Sequence, residues 1–155
     1  MLSFPELGLG EKILKAIEAL GFQQPTPIQE QAIPLLLADH SDFIGLAQTG
    51  TGKTAAFGLP LIEKVDFNSR DTQALILAPT RELCVQITDD LVRYSKFTSG
   101  ANIVAVYGGA SISTQIRQIK RGAQIVVATP GRLIDLITRK AVVLQTVRYV
   151  VLDEA

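Results

Sequence analysis

The sequence has no tryptophan, and one cysteine, one methionine and one histidine in 155 residues. The lone thiol, Cys84, has no partner for an internal disulfide and no cluster of metal-ligating residue types around it, which fits a reducing compartment. Neither sign of charge is in excess: fifteen Lys and Arg balance fifteen Asp and Glu, for a formal net charge of +0. Such a chain has no bulk attraction for nucleic acid, so any binding of that kind must come from backbone amides and a few well-placed arginines. The opening Met1-Leu2-Ser3-Phe4-Pro5 lacks the basic stretch and long apolar segment of a signal peptide. The apolar runs are strand-sized and broken by Gly or Pro, too short for a membrane span. These features point to a soluble, cytoplasmic chain, and 47% hydrophobic against 19% charged residues makes it globular rather than disordered.

No internal repeat, low-complexity tract or linker is present, and the order of elements carries the information. Apolar residues at Ile13, Leu14, Ile17 and Leu20 recur at helical spacing over Glu11–Leu20, and Gly21 stops that helix. A second helix is expected over Gln29–Leu37, with Pro34 as an irregularity, and a third from Lys53. Five short apolar runs read as buried strands: Phe43–Ala47, Ala74–Ala78, Ile103–Tyr107, Ile125–Ala128 and Tyr149–Leu152. Amphipathic stretches separate them, such as Glu82–Tyr94 with Leu83, Ile87, Leu91 and Tyr94 on one face. Strands without polar alternation, separated by amphipathic helices, predict an α/β fold: a parallel β-sheet with helices on both faces. Ligands gather at the carboxyl ends of such strands. The Gly-, Pro- and polar-rich segments fall at those ends.

The first of these segments, Ala47-Gln48-Thr49-Gly50-Thr51-Gly52-Lys53-Thr54, follows an apolar run and opens a helix. Its glycines let backbone N–H groups close around phosphate oxygens, and the helix start adds partial positive charge. Lys53 would reach the β- and γ-phosphates and the Thr54 hydroxyl would ligate Mg²⁺. Ala47 stands where the general phosphate-loop pattern has Gly. At the far end, Asp153-Glu154 closes an apolar strand. Asp153 is placed to hold Mg²⁺ through water, and Glu154 to orient or deprotonate the attacking water. Two acids at a chain end are more often merely solvated; the phosphate loop upstream favours the catalytic reading.

The ordered set of motifs resembles the DEAD-box RNA helicases. Gly21-Phe22-Gln23-Gln24-Pro25-Thr26-Pro27-Ile28-Gln29 looks like the Q motif, with Phe4 as its upstream aromatic. Ala47 to Thr54 matches motif I, Pro79-Thr80-Arg81-Glu82-Leu83 motif Ia, Gly108-Gly109 the GG motif, Thr129-Pro130-Gly131-Arg132 motif Ib, and Asp153-Glu154-Ala155 the start of motif II. Ile103 to Gly109 and Gln124 to Pro130 look most like the bacterial cold-shock, DeaD-like branch. The resemblance implies a RecA-like P-loop NTPase lobe, incomplete at its C-terminus. Residues 1–30 would form the Q-motif region and 31–155 the ATP-binding lobe.

It further implies ATP and Mg²⁺ as cofactors. Gln29 would read the adenine edge by donating and accepting at once, Phe22 or Phe4 would contact the base, and Thr26 would belong to the same site. Gln48 to Thr54 would hold the phosphates. Lys53, Asp153 and Glu154 would be catalytic, with Thr54 and Asp153 at the metal. RNA would be gripped through its backbone, without regard to sequence, by Pro79, Thr80, Arg81, Gly108, Gly109, Thr129, Pro130, Gly131 and Arg132. Simpler roles stay open: Phe22 as a core aromatic, Thr80 as a helix cap, Thr129 to Gly131 as a turn, and Arg81 paired with a carboxylate. His40 reads as a solvated loop residue, Cys84 as packing, and Lys120-Arg121 and Arg139-Lys140 as solvated helix ends.

A full family member needs a Ser-Ala-Thr motif and a second lobe carrying arginine fingers. The expectation is therefore a monomeric lobe that binds nucleotide and part of the RNA but is inactive alone. In such folds the strand before the Ser-Ala-Thr motif lies between the phosphate-loop strand and the motif II strand, so poor stability is expected as well. A non-catalytic RNA clamp is disfavoured by the intact Asp153-Glu154 pair. A P-loop kinase or GTPase is disfavoured by the lack of an Asn/Thr-Lys-x-Asp guanine-reading motif. DNA-directed relatives are disfavoured by the Q motif.

Overall fold

In the computed structural model, residues 1–38 and 42–154 are described, and His40 lies outside them. The chain divides into two units, Met1–Lys64 with Arg93–Thr98, and Val65–Val92 with Ser99–Ala155.

The first unit is helical. A single 3₁₀ turn (Pro5–Leu7) leads into α1 (Glu11–Ala19), α2 (Pro27–Ala38) and α3 (Lys53–Lys64). The apolar face read from α1 is buried through Ile13, Ala16 and Ile17. Helix α2 packs against α3, and both continue through internal prolines, Pro34 and Pro60. Ile33 and Leu59 are fully buried here. Gly10 N–H donates to Glu63 Oε2 at 3.2 Å, pinning the start of α1 within the unit.

One expectation fails in this unit. Phe43–Ala47 forms no strand, and Ile44 and Leu46 are 87% and 92% exposed. An extended segment becomes a strand only where a neighbour completes its hydrogen-bond ladder, and no described strand pairs with this one. The apolar run was sequence evidence for burial, and that burial needs a partner.

The second unit carries the sheet: β1 (Ala74–Leu77), β2 (Ile103–Val106), β3 (Ile125–Ala128) and β4 (Tyr149–Leu152). The spatial order is β2-β3-β1-β4, and every pairing is parallel. Helix α4 (Arg81–Tyr94) follows β1, α5 (Ile112–Lys120) follows β2 and α6 (Pro130–Thr138) follows β3. One face of the sheet presents Leu75, Val104, Val106, Val126 and Ala128 to a core shared with Ile119 of α5 and Leu133 and Leu136 of α6. By strand alternation Ala74, Ile76, Ile125 and Val127 point the other way, and they are buried too. This two-sided burial is why the strands lack polar alternation. Strand β4 differs: among the described residues only β1 pairs with it, and Val150 and Leu152 stay 61% and 59% exposed.

The amino-terminal end of the sheet is held by buried amides. Gln124 Nε2 donates to Ser69 C=O at 2.9 Å and Gly100 C=O at 3.1 Å, while its Oε1 accepts from Asn102 N–H at 2.8 Å. Gln73 ties Asp66 from both sides, N–H and C=O, at 2.8 Å each. Both glutamines sit at the opposite end of the strands from the predicted motifs. Among the described residues no helix is long and apolar enough to cross a membrane.

Candidate nucleotide and nucleic-acid sites

In the first unit the Q motif and the phosphate loop meet through Gln29. It lies on α2 with its side chain buried. Its Oε1 accepts from Thr26 N–H at 3.0 Å, and its Nε2 donates to Gly52 C=O at 3.1 Å. An amide has two N–H groups and two oxygen lone pairs, so one of each remains for a ligand. The loop itself turns through left-handed backbone at Gly50 (φ +80°) and Gly52 (φ +84°). A Cβ at Gly52 would land on Gln29 Nε2 and 3.1 Å from Thr26 Oγ1, whereas one at Gly50 would meet nothing within 4 Å. Thr51 Oγ1 donates to Gln48 C=O at 2.6 Å, holding the turn closed from within. Lys53 and Thr54 open α3, half-buried, where the free N–H groups of a helix start favour an anion.

Two features mark this cradle. The Thr26 hydroxyl is buried with no hydrogen-bond partner, a costly state for a polar group that no ligand meets. A side chain at Gly52 would have to displace the Gln29 amide. The aromatics divide their roles: Phe4 is buried, while Phe22 stacks on it at 6.3 Å between centroids and meets Tyr94 edge-on at 6.4 Å. Phe22 is 38% exposed, so of the two it is the ring with a face open to a base.

In the second unit the parallel sheet brings the other motifs to one end. Pro79–Leu83 follows β1, Gly108-Gly109 follows β2, Thr129–Arg132 follows β3 and Asp153-Glu154 follows β4. Helices α4, α5 and α6 start at this same end, with partial positive charge at each start. Thr80 Oγ1 caps α4 by accepting from Leu83 N–H at 3.2 Å. Ser111 does the same for α5, accepting from Thr114 N–H at 3.4 Å. Thr129 occupies the cap position of α6 without a capping bond from its side chain.

The arginines are positioned differently from each other. Arg81 is exposed and lies over the Tyr107 ring, 4.8 Å from its centroid, beside Gly109. Arg132 is half-buried, and its Nη1 donates to Ala110 C=O at 3.1 Å and to Gln115 Oε1 at 3.0 Å. Asp153 N–H extends the ladder to Leu77 C=O at 3.0 Å, and Glu154 follows at a left-handed φ of +55°. Cys84 lies on the buried face of α4, with its Sγ 3.2 Å from Val127 C=O of β3. Burial pushes its thiol up from 9.0 to about 11, which keeps it protonated and unreactive.

A family model described as DEAD/DEAH box helicase matches residues 26–155. The chain belongs to the DEAD/DEAH box helicase family. Among its relatives is the ATP-dependent RNA helicase CshA of Listeria monocytogenes, 54% identical over the whole chain and 29% of the relative's length. The ATP-dependent RNA helicase DeaD of Haemophilus influenzae is 49% identical over 99% of this chain and 25% of its own. The chain thus spans under a third of the length of these helicases. A DEAD box protein from Methanococcus jannaschii superposes with a TM-score of 0.92 at 44% identity, over 98% of this chain and 41% of that one. A Saccharomyces cerevisiae Dbp5 variant, bound to RNA and ADP BeF₃, gives 0.87 at 40% identity over 98% and 38%. The resemblance to the bacterial DeaD-like helicases read from the motifs is therefore correct, and so is the α/β lobe.

Within this DEAD-box lobe the structure gathers Thr26, Gln29 and Gly52 in one unit, and motifs Ia, GG and Ib in the other. Sequence reasoning passed over Tyr107 and Gln115. Gln115 is buried on α5, yet it lies in no motif; its one signal was a glutamine where α5 turns inward, next to Ile116 and Ile119.

Proposed function

We propose that this chain supplies the ATP-binding surface and part of the RNA-binding surface of an ATP-dependent RNA helicase. The observation that carries the reading is the Gln29 amide, bonded to the phosphate loop at Gly52 and still holding one donor and one acceptor. That remaining pair matches the adenine edge, where an amino group and a ring nitrogen stand side by side, so ATP is preferred over GTP. Phe22 covers the base and Thr26 belongs to the same site. The amides of Gln48 to Gly52 surround the phosphates, and Lys53 compensates their charge.

Mg²⁺, when bound, would neutralise charge on the β- and γ-phosphates. Thr54 and Asp153 would hold it, one hydroxyl and one carboxylate. Among the described residues no group of three or more His, Cys, Asp or Glu could cage a metal. An ion of this kind keeps most of its water and leans on the nucleotide. Glu154 orients the attacking water and accepts its proton.

RNA lies along the carboxyl end of the sheet. The starts of α4 and α6, the Thr129 hydroxyl and the Arg81 guanidinium meet its sugar-phosphate backbone; Pro79, Thr80, Gly108, Gly109, Pro130, Gly131 and Arg132 shape that surface. Backbone contacts carry no base sequence, so binding is sequence-independent. The 155-residue chain alone is inactive in RNA-stimulated hydrolysis, because strand separation needs two lobes that close on each other. The test is ATP hydrolysis by the full-length protein with and without RNA, beside Gln29→Ala. RNA-stimulated turnover that prefers ATP, with the preference lost in Gln29→Ala, supports the reading. Equal use of ATP and GTP by the wild type refutes the adenine assignment.

A further inference from the structure

The loop after β2 is bound to motif Ib by a side chain outside every motif. Gln115 Nε2 donates to Tyr107 C=O at 3.1 Å, and its Oε1 accepts from Arg132 Nη1, which also donates to Ala110 C=O. The amide orientation is fixed by its partners. Reversed, it would set oxygen against a carbonyl and N–H against a guanidinium. Gln115 is 4% exposed, so both bonds form away from water, where leaving either partner unpaired is expensive. Tyr107 is the first residue of the loop, and its ring is the shelf on which Arg81 lies. The chain of contacts thus runs from Arg132 through Gln115 to Tyr107 and on to Arg81, joining motif Ib, the GG loop and motif Ia.

Resting on the RNA reading above, we infer that Gln115 is a positioning residue of the RNA surface: by tying the Tyr107–Ala110 loop to Arg132 it holds the Tyr107 ring beneath Arg81 and aims that guanidinium at the RNA backbone. Arg132 then acts mainly inward, as the brace of the loop. Two of its N–H contacts are already spent on Ala110 and Gln115. Arg81 is the exposed cation of the pair. Gln115 touches no substrate in this account, and its effect passes through Tyr107.

The test uses the full-length protein and a short single-stranded RNA. Affinities for RNA and for ADP are measured together with the melting temperature. Gln115→Met keeps the length of the side chain and removes its donor and acceptor. About two- to fivefold weaker RNA binding is expected, no more than the loss of the Tyr107 shelf through which Gln115 acts, with ADP affinity within about twofold of wild type and the cost of the lost buried hydrogen bonds read in the melting temperature. Tyr107→Phe keeps the shelf and retains RNA affinity. Tyr107→Leu removes it and weakens RNA about two- to fivefold, the scale of an exposed cation–π contact. A folded Gln115→Met with wild-type RNA affinity overturns the inference. If that variant does not fold, equal RNA affinities for Tyr107→Phe and Tyr107→Leu overturn it instead. A wild type that binds no RNA overturns the RNA reading itself, and this inference with it.

Discussion

Gly52→Ala is expected to weaken nucleotide binding far more than Gly50→Ala, although both glycines have nearly the same left-handed backbone. At Gly50 the added methyl meets open space, so the cost is conformational alone, about 1–2 kcal/mol for an L-residue in that region. At Gly52 the methyl also lands on the Gln29 amide. Gln29 must move, and its bond to Gly52 C=O goes with it, a further ~1 kcal/mol. The free variants are expected to relieve the strain by a change in this turn, so the cost falls on nucleotide binding. The dissociation constant for ADP should rise about 5- to 30-fold in Gly50→Ala and about 30- to 150-fold in Gly52→Ala. Titration calorimetry on both variants, with Gln29→Ala and the Gly52→Ala/Gln29→Ala double variant, separates strain from displacement. Adding Gln29→Ala to Gly52→Ala should cost less than Gln29→Ala costs alone, because the bond to Gly52 is already lost; the coupling should be ~1 kcal/mol. Equal effects at the two glycines, or strict additivity in the double variant, would refute the reasoning.

Arg81→Ala should weaken single-stranded RNA binding equally for all sequences and flatten the slope of log affinity against log salt by about 0.7, one phosphate contact; filter binding across a salt series checks it. Cys84 has its thiol raised in the fold from 9.0 to about 11. Its contribution to stability is therefore complete below pH 9 and is lost as pH rises toward 11, since only the unfolded chain ionises there. Urea melts should show a steeper alkaline decline for wild type than for Cys84→Ala, and parallel curves would contradict the assignment. Gln124→Leu removes three hydrogen bonds at the far end of the sheet and should cost about 2–4 kcal/mol of stability. The folded protein should keep its RNA and ADP affinities; a selective loss of either would place Gln124 in a site.

The second unit was largely legible from sequence because its signals are local. Ile125–Ala128 and Tyr149–Leu152 are strands to the residue, and Ala74–Ala78 and Ile103–Tyr107 each end one residue early. Buried parallel strands announce themselves by unbroken β-branched and aliphatic runs. The same signal misled at Phe43–Ala47, because an apolar run records a demand for a neighbour and cannot supply one. The strand order was not readable, since pairing of β1 with both β3 and β4 depends on contacts distant in sequence. At the candidate sites, the glycines and charged motif residues stood out by type and spacing. Gln115, Gln124 and Tyr107 were not, because a buried glutamine looks like a surface one until its partners are known. The difference in exposure between Phe4 and Phe22 was equally hidden: which ring is covered is a property of packing.

The most direct measurement is ATP turnover by the full-length protein, with and without single-stranded RNA, compared with Lys53→Ala and Glu154→Gln. RNA should stimulate the wild type. Lys53→Ala should lose both ADP affinity and turnover, while Glu154→Gln should keep ADP affinity and lose turnover by at least about a hundredfold. Turnover indifferent to RNA, or a Glu154→Gln variant that hydrolyses ATP like the wild type, would contradict the account.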